Sequence, residues 1–357
     1  MTETRIVASE TLIVFDEIQS CPRALLSLKS FTEEAPEYHI IAAGSLSGVA
    51  INRNQFSFPV GKIDELSMYP MDFEEYLIAL GRKNLCEEIK VGYEKNVALS
   101  KPLHDEALHE FKKYLIIGGM PACLNVYIES NSLYEVKEVQ VRILNEYIAD
   151  MAKYASPSTA VKVRACFDSI PAQLAKENAK FQYKTVQRGG TATIFGESID
   201  WLNFAGLAHK CKKTFHGFMP IAAYTDLSDF KLYMSDVGLL VAKSEIATQT
   251  ILQDYESENH FLGMVCENYV AQALVSNGFP LYYWKNENTA ELDFILQIDE
   301  NIIPVEVKKG SRTKSTSFNL YMKQYQSPFG VRISNKNFGF ENNIKSLPLY
   351  AVWLLSK

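Results

Sequence analysis

The chain has 357 residues, 47% hydrophobic and 22% charged, enough apolar material for two or three packed domains. A formal net charge of −6 excludes a globally basic nucleic-acid-binding protein, so any such contact has to come from a local patch. The cysteines form no C-x-x-C pair, the histidines form no H-E-x-x-H, the start Met1–Arg5 is not a signal peptide and no apolar run approaches spanning length, so a cytoplasmic protein with reduced thiols and no membrane contact is expected.

The first chemically pointed stretch is Leu12-Ile13-Val14-Phe15-Asp16-Glu17. A short apolar run ending on two acids reads as a buried parallel strand that delivers charge at its carboxyl end, where open α/β sheets place their ligands. In a nucleotide-hydrolysing site the first acid, Asp16, would hold Mg²⁺ and the second, Glu17, would polarise the attacking water. Pro22 opens a helix to Glu34, with Leu25, Leu28 and Phe31 at helical spacing. Tyr38–Ser45 reads as a second buried strand ending in a small polar group.

From Asp72, a candidate N-cap, the pattern turns helical. Leu103–Ile117 continues it, Gly118-Gly119-Met120-Pro121 breaks it, and a long helix follows Ser132. His104 and His109 read as surface residues. Residues 157 to about 220 read as helix, turn, helix and two strands, Leu207–Phe215 and Ile221–Thr225, which would pair as a wing carrying His209, Lys210, Lys212 and Lys213. Glu197 and Asp200 on the second helix would repel a phosphate backbone, so protein packing is expected there more than DNA contact.

Residues 225 to 357 hold a second constellation. Phe230–Asp236 reads as a strand entering a helix, and a helix from about Phe261 to Ser276 displays Glu267. Strands Glu291–Leu296 and Ile302–Lys308 form a hairpin through Asp299-Glu300-Asn301. Alternation puts Glu291 and Asp293 on one face, and Glu306 and Lys308 on one face. If those faces coincide, Asp293 and Glu306 converge on one cation with Lys308 beside them. Lys309, Arg312 and Lys314 follow directly and could meet a phosphate backbone.

The order of these blocks resembles a prokaryotic family of predicted ATPases, over essentially the whole chain. That family joins an AAA core to a winged helix and a C-terminal domain of restriction-endonuclease-like fold. The resemblance implies a multidomain α/β fold: a partial P-loop-type parallel α/β core over 1–70, a helical lid over 71–156, a winged helix over 157–224, and a PD-(D/E)XK-like α/β domain over 225–357. It implies ATP and Mg²⁺ as cofactors, with Asp16 and Glu17 as the second acidic (Walker B) motif and Ser45 as the phosphate-sensing residue. Lys62 stands where relatives often carry Arg before the third strand. In the C-terminal domain, Asp293, Glu306 and Lys308 match the nuclease acid, acid and lysine, Glu267 matches the helix acid, and the metal would be Mg²⁺. Leu292 stands where the family name has Pro.

The sequence also departs from the resemblance. No G-x-x-x-x-G-K-[ST] occurs: Phe56 sits where the first Gly belongs and Ile63 where the hydroxyl belongs. Without that loop no row of backbone N–H groups cradles a β-phosphate, so little ATP hydrolysis by this chain alone is expected. The sheet should then expose an apolar edge or face, covered by a protein partner or another copy, or left bare by a truncated gene product. Three functions stay open: an ATPase-like protein inert by itself, a Mg²⁺-dependent nuclease, or a non-catalytic adaptor binding protein or, through Lys212, Lys213, Lys309 and Arg312, nucleic acid.

Overall fold

The computed structural model describes residues 5–44, 61–176, 179–253, 260–286, 290–308 and 316–356. Ser45, Lys309, Arg312 and Lys314 therefore lie outside the described residues. The architecture is mixed α/β with three sheets among the described residues. The chain forms two compact units, residues 1–68 with 199–207, and residues 69–198 with 208–357.

In the first unit, β1 (Leu12–Phe15) pairs in parallel with β2 (His39–Ala42), joined by α1 (Pro22–Glu34). Pro22 occupies the first turn of α1, where a missing N–H costs nothing. Leu25 and Leu28 of α1 close over Ile18, Phe15 and Ile40. The other face of the sheet stays open, with Leu12 53%, Val14 58% and Ile41 53% exposed. No strand forms between residues 61 and 72, so the third strand expected after Lys62 is absent from the described residues.

The second unit begins with helices. Asp72 caps α2 (Phe73–Ala79) in a reciprocal capping box with Glu75. Then follow α3 (Lys83–Lys95), α4 (Lys101–Ile117), α5 (Pro121–Ser130), α6 (Leu133–Tyr154) and α7 (Pro157–Leu174). Ser132 and Ser156 cap α6 and α7 through their hydroxyls. Phe73, Tyr76, Phe111, Tyr114 and Tyr269 pack edge-on and stacked at centroid distances of 4.8–5.8 Å, the offset geometry that aromatic quadrupoles favour. After a short α8 (Tyr183–Val186) comes α9 (Ala192–Phe204), whose residues from 199 onward belong with the first unit.

The strands that follow differ from the expected wing. β3 (Ala208–Thr214) pairs antiparallel with β4 (Thr225–Met234), and residues 221–224 form a 3-10 turn instead of a strand. On its other side β3 pairs in parallel with β5 (Tyr282–Lys285), which pairs with β6 (Glu291–Leu292), giving the sheet order β4-β3-β5-β6. The segment 208–214 is thus an interior strand. Its Lys210 stacks over Phe230 and Lys213 pairs with Asp229 at 3.5 Å, in place of a solvent-facing basic wing.

After β4 come α10 (Val237–Lys243), a short α11 (Thr248–Leu252) and α12 (His260–Ser276). The second sheet of this unit has the order β10-β11-β9-β8-β7, with β7 (Phe294–Ile298), β8 (Asn301–Val307), β9 (Gly330–Ser334), β10 (Gly339–Glu341) and β11 (Ile344–Pro348); α13 (Thr316–Tyr325) precedes β9. β7 and β8 form the expected hairpin, closing at Ile298↔Asn301. The strand expected over Glu291–Leu296 is interrupted at Asp293: its first half belongs to one sheet and its second half to the other.

Polar clasps fasten the helices to the sheets. The carbonyl and amide of Asn337 close both backbone groups of Leu99, each at 2.9 Å. Gln272 donates to the Tyr114 hydroxyl at 3.2 Å. His104, expected at the surface, is half-buried and its ring bridges the Tyr350 hydroxyl and the Asn335 carbonyl. The tightest approach joins the turn after α4 to the start of α10. Gly119 N–H donates to buried Asp236 at 2.7 Å, while Met71 N–H donates to the Gly119 carbonyl at 2.8 Å. Gly118 adopts φ +76, which an L side chain rarely adopts, and a Cβ on Gly119 would fall 2.1 Å from the Met71 carbonyl oxygen.

Candidate functional site

Two places concentrate chemistry, one in each unit. In the first, Asp16 and Glu17 sit exposed at the carboxyl end of β1. The backbone of β2 clamps this turn: Ala43 N–H donates to the Phe15 carbonyl at 2.8 Å, and Ile18 N–H to the Ala43 carbonyl at 3.0 Å. Glu17 takes the left-handed conformation, φ 50, and its N–H donates to Asp16 Oδ1 at 3.0 Å. Gln19 donates to Glu17 Oε2 at 2.7 Å. Lys62 is tied to α1 instead, with Nζ 3.6 Å from Glu33 and its carbonyl accepting from Thr32.

The second place is one face of the strands in the larger unit. Alternation along β4 turns Asp229, Lys231 and Tyr233 to one side and Phe230, Leu232 and Met234 to the other. Register then aligns partners on the polar side: Cys211 opposite Lys231, Lys285 opposite Glu291, and Glu306 opposite Arg332. A polar row results, running across both sheets through the break at Asp293.

Lys231 is its pivot. It is 2% exposed, and its ammonium lies 3.0 Å from Glu267 Oε1 and 2.9 Å from Glu291 Oε1. The Tyr233 hydroxyl donates to the same Glu267 oxygen, and the Tyr283 ring lies 5.0 Å from the ammonium. α12 aims Glu267 inward because its neighbour Asn268 pairs with both backbone groups of Met234, and Gln272 accepts from Val237 N–H. On one flank, Asp229 gathers Lys180 at 2.6 Å, Lys213 at 3.5 Å and the Tyr283 hydroxyl at 2.6 Å. On the other, Asp293 Oδ2 accepts from Val307 N–H at 2.7 Å, Lys308 lies 2.9 Å from Glu306 Oε1, and Arg332 Nε lies 4.0 Å from Glu306 Oε2.

Electrostatics ties these groups together. Burial alone would lower the Lys231 ammonium, but Glu267, Glu291 and Asp293 outweigh it and hold the lysine charged, above its usual value. Enclosure and the neighbouring Glu267 charge raise the Asp293 carboxyl above the carboxylate range, against the pull of Lys231 and Lys308. Glu291 stays below its ordinary value, the two lysines beside it overcoming its desolvation. Lys308 feels Asp293, Glu306 and Glu267 at once, which offsets its own desolvation and raises it. Of the predicted quartet, Lys308 is the member that the other three, Asp293, Glu306 and Glu267, all act on.

The donor set does not suit a resident Mg²⁺. Mg²⁺ and Ca²⁺ need several oxygens turned to one point. Here Glu267 and Glu291 turn theirs to Lys231, Asp293 turns one to Val307 N–H, and Glu306 is flanked by Lys308 and Arg332. Among the described residues no three His, Cys, Asp or Glu side chains are grouped to hold a metal ion, whether at Asp16 or at Glu267, Asp293 and Glu306. Lys231 and Arg332 were missed by sequence reasoning, and Glu291 was placed on the face of Asp293 without a role. The legible signal was a lysine in the middle of the apolar alternation Phe230-Lys231-Leu232-Tyr233-Met234, which calls for a carboxylate partner once buried.

Comparison with known families divides the chain into three matches. Residues 1–77 match an AAA domain, residues 108–250 a domain of unknown function (DUF8612), and residues 262–352 a second domain of unknown function (DUF4143). The first match supports an AAA-family protein. No curated protein and no solved structure matches the chain. Among the described residues no helix is long and apolar enough to cross a membrane.

Proposed function

We propose that this chain is an AAA-type ATPase-like protein whose first unit carries the acidic half of a nucleotide site. The carrying observation is the exposed Asp16-Glu17 pair, clamped at the carboxyl end of a parallel strand within the segment that matches an AAA domain. In this reading Asp16 holds the Mg²⁺ that accompanies ATP and Glu17 orients the attacking water. Ser45 would sense phosphate, and Lys62, turned to Glu33, takes no part. Because the 357 residues carry no phosphate loop, the chain alone binds Mg²⁺-ATP weakly and turns it over at background rate. Thermal melts with Mg²⁺-ATP and a phosphate-release assay, on wild type and Asp16→Ala, test this. A small nucleotide-dependent shift lost in the variant is expected. Identical melts of the two proteins, or a turnover that Asp16→Ala abolishes, would overturn it.

A second reading concerns the larger unit, favoured by Asp293, Glu306 and Lys308 lying together on one hairpin. We read it as a nuclease-like module that binds without cutting, since the acids are already engaged by protein cations. Lys308, together with Lys212, is where a nucleic-acid backbone would be met, while Lys213 is held by Asp229. Plasmid nicking with Mg²⁺ should stay at background for wild type. Nicking lost in both Glu306→Ala and Lys308→Ala would refute the reading.

A further inference from the structure

We propose that the larger unit binds single-stranded nucleic acid, with unpaired bases stacked on the aromatic loop between β3 and β4 and the backbone met by Lys212. This deepens the nucleic-acid-binding reading of that unit, on which it rests, by naming the strand form and the residues that select it.

The loop follows directly on β3. Phe218 and Met219 are 53% and 43% exposed, and His216 is exposed beside them. The rings of His216 and Phe218 lie near parallel, with centroids 5.9 Å apart at 29°. Tyr224 stands edge-on to His216 at 5.5 Å, and Tyr325 of α13 edge-on to Phe218 at 5.3 Å. Tyr325 in turn meets Trp284 and Tyr321, which are fully buried, so the exposed rings continue an aromatic column that starts in the core.

Backbone bonds hold the loop in place. Phe215 N–H donates to the Tyr224 carbonyl at 3.2 Å, Trp284 Nε1 to the Phe215 carbonyl at 3.2 Å, and the Thr214 hydroxyl to the His216 carbonyl at 2.9 Å. Gly217 is pressed onto α13 so closely that a Cβ there would run into Tyr321 and Tyr325. The rings are therefore fixed before a ligand arrives, which spares the ordering cost of binding.

Charge selects the occupant. The strands of this sheet carry three acids, and all turn to the side of Lys231: Asp226 opposite Lys213, Asp229 on the Tyr283 hydroxyl, and Glu291 on Lys231 itself. Alternation sends Lys212 to the other side, in register with Tyr282 and with Phe230, and on the same side as Trp284. Lys212 is half-exposed, and no described carboxylate pairs with it. The loop 215–220 and α13 contain no acid. An acid-free aromatic face with a lysine suits a polyanion that also offers flat rings. Bases of a single strand present such rings, whereas a duplex hides them in its stack.

The test is fluorescence anisotropy of a labelled oligo-deoxythymidine, on the full chain, with a duplex of the same length beside it. The single strand should bind more tightly than the duplex. Phe218→Ala and Phe218→Leu should each weaken it about fivefold or more, while Phe218→Tyr stays near wild type. Lys212→Ala should flatten the slope of log affinity against log salt by about 0.7. Phe340→Ala, an equally exposed ring on β10, should change nothing. Should Phe218→Ala fail to fold, the contrast between Phe218→Leu and Phe218→Tyr decides. Phe218 variants that all bind like wild type, or a duplex bound more tightly than the single strand, overturn the inference and leave nucleic-acid binding standing. Absence of binding to both strand forms overturns the nucleic-acid reading, and the inference with it. A dimer in sedimentation that Phe218→Ala dissolves, with no oligonucleotide bound, would make this face a contact between copies and overturn the inference as well.

Discussion

Gly119→Ala is expected to be among the most damaging single-methyl changes in the larger unit. The added Cβ would fall 2.1 Å from the Met71 carbonyl oxygen and 2.8 Å from the Met71 nitrogen, backbone atoms that cannot rotate away. Relief requires the turn after α4 to move. That movement stretches the 2.7 Å bond from Gly119 N–H to Asp236 and the 2.8 Å bond from Met71 N–H to the Gly119 carbonyl. Overpacking of a fixed neighbour costs about 1–3 kcal/mol. A weakened hydrogen bond to a buried carboxyl costs about 1.5–3 kcal/mol more. The expected loss is therefore about 3–5 kcal/mol in a urea denaturation series. Gly189→Ala is the control: it has positive φ, +80, but nothing within 4 Å of its Cβ, so strain alone should cost about 1 kcal/mol. Equal midpoints for the two variants would refute the assignment of steric closure to Gly119.

Two further predictions concern acids at helix starts. Burial raises Asp236 from 3.8 to about 6, outweighing the backbone N–H groups of Gly119, Leu239 and Gly238 that favour its charged form. A carboxyl raised on folding contributes stability that is full below its unfolded value and lost as pH rises through its folded value. Wild type should therefore lose on the order of 3 kcal/mol more than Asp236→Asn between pH 4 and pH 7.5, and equal pH slopes in the two denaturation series would contradict this. Asp72→Ala removes the acceptor for Glu75 N–H at 2.8 Å and should lower stability by about 1–2 kcal/mol, with Asp72→Ser restoring most of it. A melting temperature unchanged in Asp72→Ala would show that the capping box contributes nothing there.

Local elements were legible in the sequence because their signals are local. Pro22 starts α1, Asp72 and Ser132 cap α2 and α6, and the hairpin turns at Asp299. The quartet Glu267, Asp293, Glu306 and Lys308 could be found because alternation and one hairpin register bring three of its members together. Partner choice between distant strands was not legible. Lys212 opposite Tyr282 is a pairing between distant segments, and nothing near residue 212 announces it. Sequence separation also hid Lys231, whose acids lie on α12 and β6. Burial also misleads by one residue type: His104 looks like a surface histidine until Tyr350 and Asn335 arrive from the far end of the chain.

The interior place of β3 bears on how this protein can be divided in the laboratory. A fragment cut to the C-terminal family match, residues 262–352, begins after both β3 and β4. It would bare the flank of β5, and leave Glu267 and Glu291 facing each other without the lysine that separates them. The lysine that balances Glu267 and Glu291 sits on β4, in a segment that lies outside that match.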